Sequence, residues 1–560
     1  MATLTRNLFR GTDERHFDLT VEGDWPQDID GWLFNVGPDR SKPGGHWFTG
    51  QGLLCRVGCR PDASGRIGVD FARVDTPMAK LRDAQPGLFR RSGVQEVSPF
   101  GFSNFANTNV QSIGGRLFLG YDVGRPVEVD PETLEFLTPV GANSEWLVTL
   151  PAPVEPMIAV AAHPGPDWDE SALFFANYQN IPIAPDRHIR ICRWDLEGTV
   201  EHWRLDDVVP FDSIHDVKVT RSFVVVTDLP FVVEPFGPDP TCARRAVADS
   251  TNVWIVRKED LRSHPPGSAV PYRHLTVPMM GGHMAVDYAD DGCELDLILS
   301  HHPMTDLGAG IEPGDRGRFT GEAIDAAYEG LPEIGNQPSG IGRYRIDVDA
   351  GKVTSAKVAT DPERFWGGAL FTQNHHLASS REHPANLWVS GAGHDPALVT
   401  ERWWQTYAEV HENVFVAARD FPGVAKPGAL ARFELAEPRL AELYTYADGA
   451  FPHPPTFVPR VGCKQDADGY VLVFVHRDGD KAIDVFEAGA IEAGPIASAS
   501  APGFNMPLLL HSWWCEARSG PRPSSYRVAP EQDAWDTLQA FGQDPSSGLG
   551  IGRSIFDRSG

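Results

Sequence analysis

The chain has no long apolar run and no cluster of basic residues. No stretch of about 18 uncharged apolar residues, the length that spans a membrane as a helix, occurs in its 560 residues. Acidic residues outnumber basic ones by 76 to 49, and the formal net charge is −27. Since phosphate binding needs clustered Lys and Arg, no nucleic-acid partner is expected. The first residues also lack a signal-peptide pattern, so we expect a cytoplasmic protein with a solvated acidic surface.

Cysteine is scarce and scattered. The seven cysteines form no CxxC pair, which argues against a disulfide framework and against a thiolate zinc site. Helical periodicity is confined to three segments, 321–331, 400–420 and 531–541. None of them is followed by the rhythm of a parallel strand, which argues against repeated strand–helix–strand units.

Short strand patterns separated by turns fill most of the chain. The 55 glycines and 47 prolines are spread throughout, and β-branched runs flank turn residues at 115–129, 217–231, 341–354 and 468–486. Such strands are typical of a sandwich, a barrel or a propeller. A sandwich rarely needs this length and no linker divides the chain, although no clean internal repeat is visible. We therefore predict an all-β fold, with one large closed propeller over 1–520 and a C-terminal extension over 521–560.

Four of the 19 histidines adjoin strand-like segments. His163 follows MIAVAA, His215 precedes a hairpin, His283 follows PMMGG and His511 follows MPLLL. In a propeller, such positions bring side chains from different blades towards the central axis. Neutral imidazole binds iron, copper, zinc or nickel. The separations are long and irregular, unlike the HExxH spacing on a helix, so the pattern fits a metal site and also fits ordinary surface or core histidines.

At these residues the sequence resembles the carotenoid cleavage oxygenase family, which includes the lignostilbene dioxygenases. The resemblance extends from about residue 25 to 515, and it is the order of the motifs that makes it specific. The motifs are GWLFNVGP (31–38), HWFTGQGLL (46–54), ANTNVQSIGGRLFLGYDVGRPVEVDPETLEFL (106–137), AAHPGPD (161–167), SIHDVKVT (213–220), GGHMAVDYADDG (281–292), FVPR (457–460), DGYVLVFV (468–475) and PLLLHSWW (507–514).

The resemblance implies a seven-bladed β-propeller that holds one Fe(II) ion through His163, His215, His283 and His511. A dome of helices and loops would cover the metal-bearing face and shape an apolar tunnel. The implied enzyme is a non-haem iron dioxygenase that splits a C=C bond with O2 into aldehyde or ketone products. Its substrate would be a small apolar or aromatic conjugated alkene: an apocarotenoid, a stilbenoid or a phenylpropenoid. Four neutral ligands would leave two of six positions open on the iron for dioxygen.

Two features of the dome follow from the same resemblance. The 400–420 segment, with Trp403, Trp404 and Tyr407, fits a dome helix, but its aromatic spacing is also that of an ordinary amphipathic core helix. An exposed apolar edge of the dome would allow peripheral membrane contact, although no basic amphipathic segment specifically predicts it.

The chain departs from the family pattern around the ligands. The family orients three of its histidines through glutamates, and the matching positions here are Asp122, Ala369 and Pro454. Asp122 is thus the one candidate carboxylate acceptor, with Gln373 or Asn374 as an amide substitute near Ala369. Two further hypotheses stay open for this reason. One is a non-catalytic propeller that binds a lipophilic ligand or a partner protein, and the other is a propeller hydrolase that uses a divalent metal to activate water.

Overall fold

The structure is a computed structural model, and strands account for most of its regular structure. It describes residues 8, 13–39, 45–92, 94–146, 152–178, 188–208, 213–229, 249–305, 307–332, 337–372, 384–408, 413–447, 449–463, 465, 467–477 and 481–542. Within these ranges the α-helices are few and short, so the all-β prediction is confirmed to the extent that the fold is mostly β.

The first third of the described chain forms short antiparallel strands in order. The strands are β1 (His16–Gly23), β2 (Gly31–Asp39), β3 (Gln51–Gly58), β4 (Arg66–Arg73), β5 (Arg90–Ser92), β6 (Gln95–Ser98), β7 (Gly101–Phe102), β8 (Asn109–Ile113), β9 (Arg116–Gly120), β10 (Val127–Val129), β11 (Phe136–Pro139), β12 (Ala159–Val160), β13 (Gly165–Asp167), β14 (Ala172–Tyr178), β15 (Arg190–Trp194) and β16 (Glu201–Arg204).

The remaining strands continue the same pattern. They are β17 (Ser213–Val219), β18 (Phe223–Leu229), β19 (Ser250–Arg257), β20 (Arg273–Pro278), β21 (Gly281–Val286), β22 (Glu294–His301), β23 (Gly340–Asp347), β24 (Lys352–Thr360), β25 (Gly368–Phe371), β26 (Asn386–Gly391), β27 (Ala429–Glu434), β28 (Arg439–Thr445), β29 (Phe451–Pro452), β30 (Thr456–Pro459), β31 (Gly469–His476), β32 (Lys481–Glu487), β33 (Ala497–Ser500) and β34 (His511–Glu516). The predicted hairpins at 217–231 and 341–354 are β17–β18 and β23–β24; the turn residues 478–480 lie outside the described ranges.

Five sheets of four or five strands follow one another along the chain: β8–β11, β12–β16, β17–β20, β21–β24 and β25–β28. A small sheet, β5–β7, precedes them. The first and last strands share one ten-stranded sheet, ordered β29-β31-β32-β33-β1-β4-β3-β2-β34, with β30 paired to β31. Strand β2 pairs with β34 so that Val36 lies opposite His511. Hydrogen bonds therefore join the two ends of the described fold.

The hydrophobic core is divided among the interfaces of neighbouring sheets. Separate clusters of buried residues lie between β12–β16 and β17–β20, between β17–β20 and β21–β24, and between β21–β24 and β25–β28. Similar clusters join β8–β11 to its neighbours on either side. These sheets are thus buried on both faces, one face against the preceding sheet and the other against the following sheet. This explains their continuous runs of Val, Leu, Ile and Phe.

The described part of the chain contains four short α-helices: α1 (Pro77–Ala84), α2 (Lys258–Ser263), α3 (Glu401–Tyr407) and, after the last strand, α4 (Pro530–Ala540). Single 3-10 turns occur at Trp47–Thr49, Pro86–Leu88, Asn143–Glu145, Ala326–Tyr328, Ala418–Asp420 and Ile491–Ala493. No helix among the described residues combines the length and the apolar character that crossing a membrane requires.

Of the three predicted helices, one is confirmed, one is confirmed only at its start, and one is wrong. Helix α4 matches the predicted 531–541 segment, whereas 321–331 contains only the 3-10 turn Ala326–Tyr328. Helix α3 covers the start of the predicted 400–420 helix, and residues 409–412 lie outside the described ranges. Trp403 and Tyr407 are buried against Met280, Met304 and Phe421, as in an ordinary amphipathic core helix.

The predicted C-terminal extension, 521–560, is described as far as residue 542, and its described part lies against sheet β8–β11. The amide of Arg522 donates to the carbonyl of Gly115 over 2.7 Å, and the amide of Val528 donates to Oγ1 of Thr138 over 2.9 Å. The Tyr526 hydroxyl accepts from the amide of Gly141 over 3.0 Å. This segment therefore covers part of the sheet that precedes the first candidate ligand.

Candidate metal centre

The four histidines singled out in the sequence come from four different sheet regions and meet in one place. His163 follows β12, His215 lies within β17, His283 lies within β21 and His511 begins β34. All four are buried, with exposed fractions of 8% or less. One ring nitrogen from each lies within 4.8 Å of the others. The apolar run 506–510 before His511 belongs to no strand, although the amides of Leu508 and Leu510 donate to the carbonyls of Leu8 and Val36. His511 therefore starts a strand instead of ending one.

Main-chain hydrogen bonds align the strands that carry these rings. The amide of His163 donates to the carbonyl of His215, and the amide of Val217 donates to the carbonyl of His163, both over 3.0 Å. The pairing of β17 with β18 shifts register at His215, and that of β21 with β22 shifts at Gly282 and His283. Bulges of this kind re-aim a side chain, and here they turn two rings towards the cluster.

Asp122 lies where the sequence predicted an acceptor for a histidine. Its Oδ1 is 2.6 Å from Nδ1 of His215, and both side chains are buried. Burial opposes a positive charge on this ring, but the charge of Asp122 and the hydrogen bond outweigh burial and raise the pKa of His215. In the neutral ring the proton is on Nδ1, facing the carboxylate. Nε2, which is 3.3 Å from Nε2 of His283, is then the acceptor nitrogen.

The other three rings are held in the neutral form. Burial, followed by the neighbouring histidines, lowers the pKa of His163, His283 and His511 well below the usual value. A cluster of neutral imidazoles has lone pairs available at physiological pH, which is the protonation state that metal binding needs. The donor set fits a borderline-soft transition metal.

The other two positions that matched family glutamates carry no carboxylate. Pro454 lines the cavity described below. The side chain of Ala369 and residues Gln373 and Asn374 lie outside the described part of the structure. Among the described residues, Nδ1 of His283 is buried and has no hydrogen-bond partner. His215 is therefore oriented through its side chain, whereas no described group orients the His283 ring through Nδ1.

Two buried charges beside the rings were not foreseen from the sequence. Oδ1 of Asp216 is 2.5 Å from Nζ of Lys218, and its Oδ2 accepts from the amide of Met284 over 3.0 Å. Asp216 thus links the strand of His215 to the strand of His283. The alternation in SIHDVKVT was the available signal, because it places Asp216 and Lys218 on one face of β17.

An apolar cavity of about 120 Å³, partly open to solvent, ends at the cluster. His215, His283 and His511 belong to its wall, while the fully buried His163 is not among the described lining residues. The apolar wall includes Trp47, Phe48, Leu307, Leu331, Phe451 and Leu508. Asp122 is the one formally charged residue among the described lining residues, and it is bonded to His215. Such a cavity suits an uncharged apolar ligand.

Comparisons with known proteins agree with this architecture. A family model described as retinal pigment epithelial membrane protein matches residues 8–516. The chain is 22% identical to apocarotenoid-15,15'-oxygenase of Synechocystis sp. over 523 residues, which cover 89% of this chain and 92% of the relative.

Two solved structures share the fold. The lignostilbene dioxygenase of Pseudomonas brassicacearum superposes with a TM-score of 0.59 at 18% identity, over 91% of this chain and 97% of that one. The cobalt-substituted apocarotenoid oxygenase of Synechocystis gives a TM-score of 0.59 at 16% identity, over 91% and 98% of the two chains.

The resemblance found in the ordered histidine motifs is thus confirmed by a family match over nine-tenths of the chain. The chain belongs to the retinal pigment epithelial membrane protein and carotenoid cleavage oxygenase family.

Proposed function

We propose that the chain is a non-haem iron dioxygenase that cleaves a C=C bond of a conjugated alkene. The substrate would be an apocarotenoid, a stilbenoid or a phenylpropenoid, and the products two aldehydes or ketones. The observation that carries the proposal is the meeting of four histidine nitrogens within 4.8 Å at the inner end of an apolar cavity. Family membership and the similarity to an apocarotenoid oxygenase and a lignostilbene dioxygenase support it.

His163, His215, His283 and His511 would hold the iron. Their burial and three lowered pKa values support neutral nitrogen ligands, and the related Synechocystis oxygenase has been crystallised with cobalt substituted in it. When bound, iron would supply the activation of dioxygen for a reaction in which one O2 provides both carbonyl oxygens.

The chain's own residues would bind and orient the alkene. The aromatic and aliphatic cavity wall stabilises an apolar substrate by burial, and it excludes water from the reacting bond. Asp122 holds the proton on Nδ1 of His215 and so keeps Nε2 available. Holding the alkene in a reactive orientation lowers the activation barrier of cleavage, because the entropy of orienting the substrate is lost on binding and not in the reaction step.

The proposal includes a seven-bladed propeller. Five sheets in chain order are candidates for five blades. The ten-stranded sheet would supply two more, one from β29–β33 and one from β34, β2, β3 and β4, joined through β1. Core clusters between successive sheets support this arrangement, because blades of a propeller pack face to face. A cytoplasmic location is part of the same proposal.

The test is incubation of Fe(II)-loaded protein with a panel of apocarotenals, stilbenes and isoeugenol-like alkenes under labelled ¹⁸O2. We expect carbonyl products that carry the ¹⁸O label, and mass spectrometry detects them. Alanine at any of the four histidines should abolish iron binding and cleavage together, whereas His274→Ala, on the exposed face of β20, should change neither. Product formation without O2 would favour the hydrolase, and absence of iron binding even after Fe(II) addition would favour the non-catalytic binder.

A further inference from the structure

We infer that Ser300 is a positioning residue for His283 and acts through the main chain of that histidine. The inference rests on the proposed metal-dependent function of the cluster. Ser300 lies in β22, and its side chain is completely buried. It does not belong to the candidate ligands, and no motif in the sequence distinguished it.

The contacts of Ser300 follow from the bulge in β21. Gly281 pairs with His301, and Met284 pairs with Leu299, so Gly282 and His283 together lie opposite Ser300. Two residues opposite one deprive His283 of regular partners on β22. The Ser300 hydroxyl takes their place, because it accepts from the amide of His283 over 3.0 Å and donates to the carbonyl of His283 over 3.2 Å.

The Ser300 hydroxyl is fully used in this arrangement. A hydroxyl has one hydrogen to donate and two lone pairs to accept with. Its hydrogen goes to the carbonyl of His283 and one lone pair takes the amide of His283. Nε2 of His302, 3.1 Å away, is placed to donate to the second lone pair. His302 packs directly on the bulge, since a Cβ at Gly282 would lie 2.3 Å from its Cδ2.

These contacts matter because the His283 ring has no described anchor at Nδ1. Its direction depends on the main chain at the bulge, and that main chain is fixed by Ser300. Loss of the hydroxyl would leave a buried amide and a buried carbonyl unpaired. The bulge could then relax, and the ring would turn away from the other three.

The test compares Ser300→Ala and Ser300→Cys with the parent chain in Co(II) titrations of metal-free protein. Cobalt absorption in the visible range reports ligand geometry as well as affinity. We expect Ser300→Ala to lower Co(II) affinity about 10- to 100-fold, the range for residues that orient metal ligands, and to shift the absorption bands. Ser300→Cys, similar in shape with a weaker hydrogen bond, should fall between.

Ser98→Ala is the matched control. The Ser98 hydroxyl is also buried and also joins two main-chain groups, accepting from the amide of Phe100 and donating to the carbonyl of Gly101, but it lies in β6. It should lower thermal stability and leave Co(II) binding unchanged.

The outcomes separate the two proposals. A parent chain that binds neither Co(II) nor Fe(II) overturns the proposed function and this inference with it. A parent chain that binds Co(II), with Ser300→Ala equal to it in affinity and spectrum, overturns only the inference. If Ser300→Ala does not fold, Ser300→Cys decides in the same way.

Discussion

One hydrogen bond connects the histidine cluster to a carboxylate at the cavity wall. Asp122 accepts from Nδ1 of His215 over 2.6 Å in a buried setting. A carboxylate in this position fixes the tautomer of a ligand histidine and raises the basicity of its other nitrogen. In this chain the aspartate side chain is long enough to reach the ring.

We predict that Asp122→Asn lowers Fe(II) affinity about 10-fold and Asp122→Ala about 100-fold. Asparagine keeps an acceptor for the Nδ1 proton but loses the charge, whereas alanine loses both. Anaerobic competition with a coloured chelator measures the affinities. Asp484→Asn is the control, because Asp484 is equally buried but pairs with Arg477 and Ser498 away from the cluster. Equal affinities of the parent and Asp122→Ala would contradict the orienting role.

The residues of the site differ in how far the sequence could reveal them. The four histidines and Asp122 lie inside local motifs, so their positions could be predicted one by one. Ser300 and the Asp216 link to Met284 depend on the register between strands, which a short motif does not specify. The cavity wall combines Trp47, Leu307 and Leu508, which are distant in the sequence, and only the folded chain brings them together.

At the level of elements, helix α4 ties the end of the described chain to the loop that carries Asp122. Arg125, three residues after Asp122, is buried, and its Nη1 is 2.7 Å from Oδ2 of Asp533 in α4. Oδ1 of Asp533 accepts from the amide of Asn143 over 2.8 Å. Burial opposes the charge of Arg125, but Glu155 and Asp533 outweigh it and raise its pKa. The helix thus supplies a counter-charge to the Asp122 loop.

We predict that Asp533→Ala destabilises the protein by about 3 kcal/mol, because it leaves a buried guanidinium with one carboxylate fewer. The segment after β34 should also become a site of rapid proteolysis. Thermal unfolding and limited proteolysis with mass spectrometry measure the two effects. Asp536→Ala, three residues along the same helix, removes an exposed carboxylate and should change neither. Identical digestion of the two variants would show that α4 is held without the ion pair.

The helices also show where sequence periodicity succeeds and fails. Helix α4 has a proline in its first turn and buries one face on the 143–145 turn, so its pattern predicted its bounds to within one residue. The 321–331 segment has a similar apolar rhythm, but Gly321 and Gly330 adopt positive φ and bound it closely. A single 3-10 turn, capped by the side chain of Asp325, is enough to place Tyr328 in the buried interior. Periodicity does not distinguish these cases, because both place apolar residues on one face.

At the scale of the whole molecule, the packing of sheet on sheet buries histidines that have no part in the cluster. Burial lowers the pKa of His301 to about 4. Burial, with Lys481 nearby, lowers the pKa of His453 to about 3. Burial, the neighbouring His453 and Lys481 lower the pKa of His476 well below its usual value. These rings are neutral in the folded protein over most of the acidic range, whereas in the unfolded chain they bind protons near pH 6.5.

The sign of the resulting pH dependence follows from this difference. Above pH 6.5 the rings are neutral in both the folded and the unfolded chain, so they cause no loss of unfolding free energy. As the pH falls below 6.5, the unfolded chain binds protons that the folded chain does not, and each ring costs about 1.4 kcal/mol per pH unit. The loss ends only when the pH passes the folded pKa. We therefore expect steep acid destabilisation of the metal-free protein.

We predict that His476→Leu reduces this acid sensitivity. Neither ring nitrogen of His476 has a hydrogen-bond partner among the described residues, so leucine should be neutral or stabilising at pH 7.5. Between pH 7.5 and 5.0 the variant should lose about 2 kcal/mol less unfolding free energy than the parent, since one proton uptake is removed. Urea unfolding at the two pH values measures the difference.

His16→Gln is the control of opposite sign, because a hydrogen bond to Asp70 raises the pKa of His16. The contribution of His16 to stability is present in acid and lost as the pH rises. An unchanged acid dependence in His476→Leu would mean that His476 is protonated at similar pH in the folded and unfolded chains, and that burial between the sheets does not keep this ring neutral.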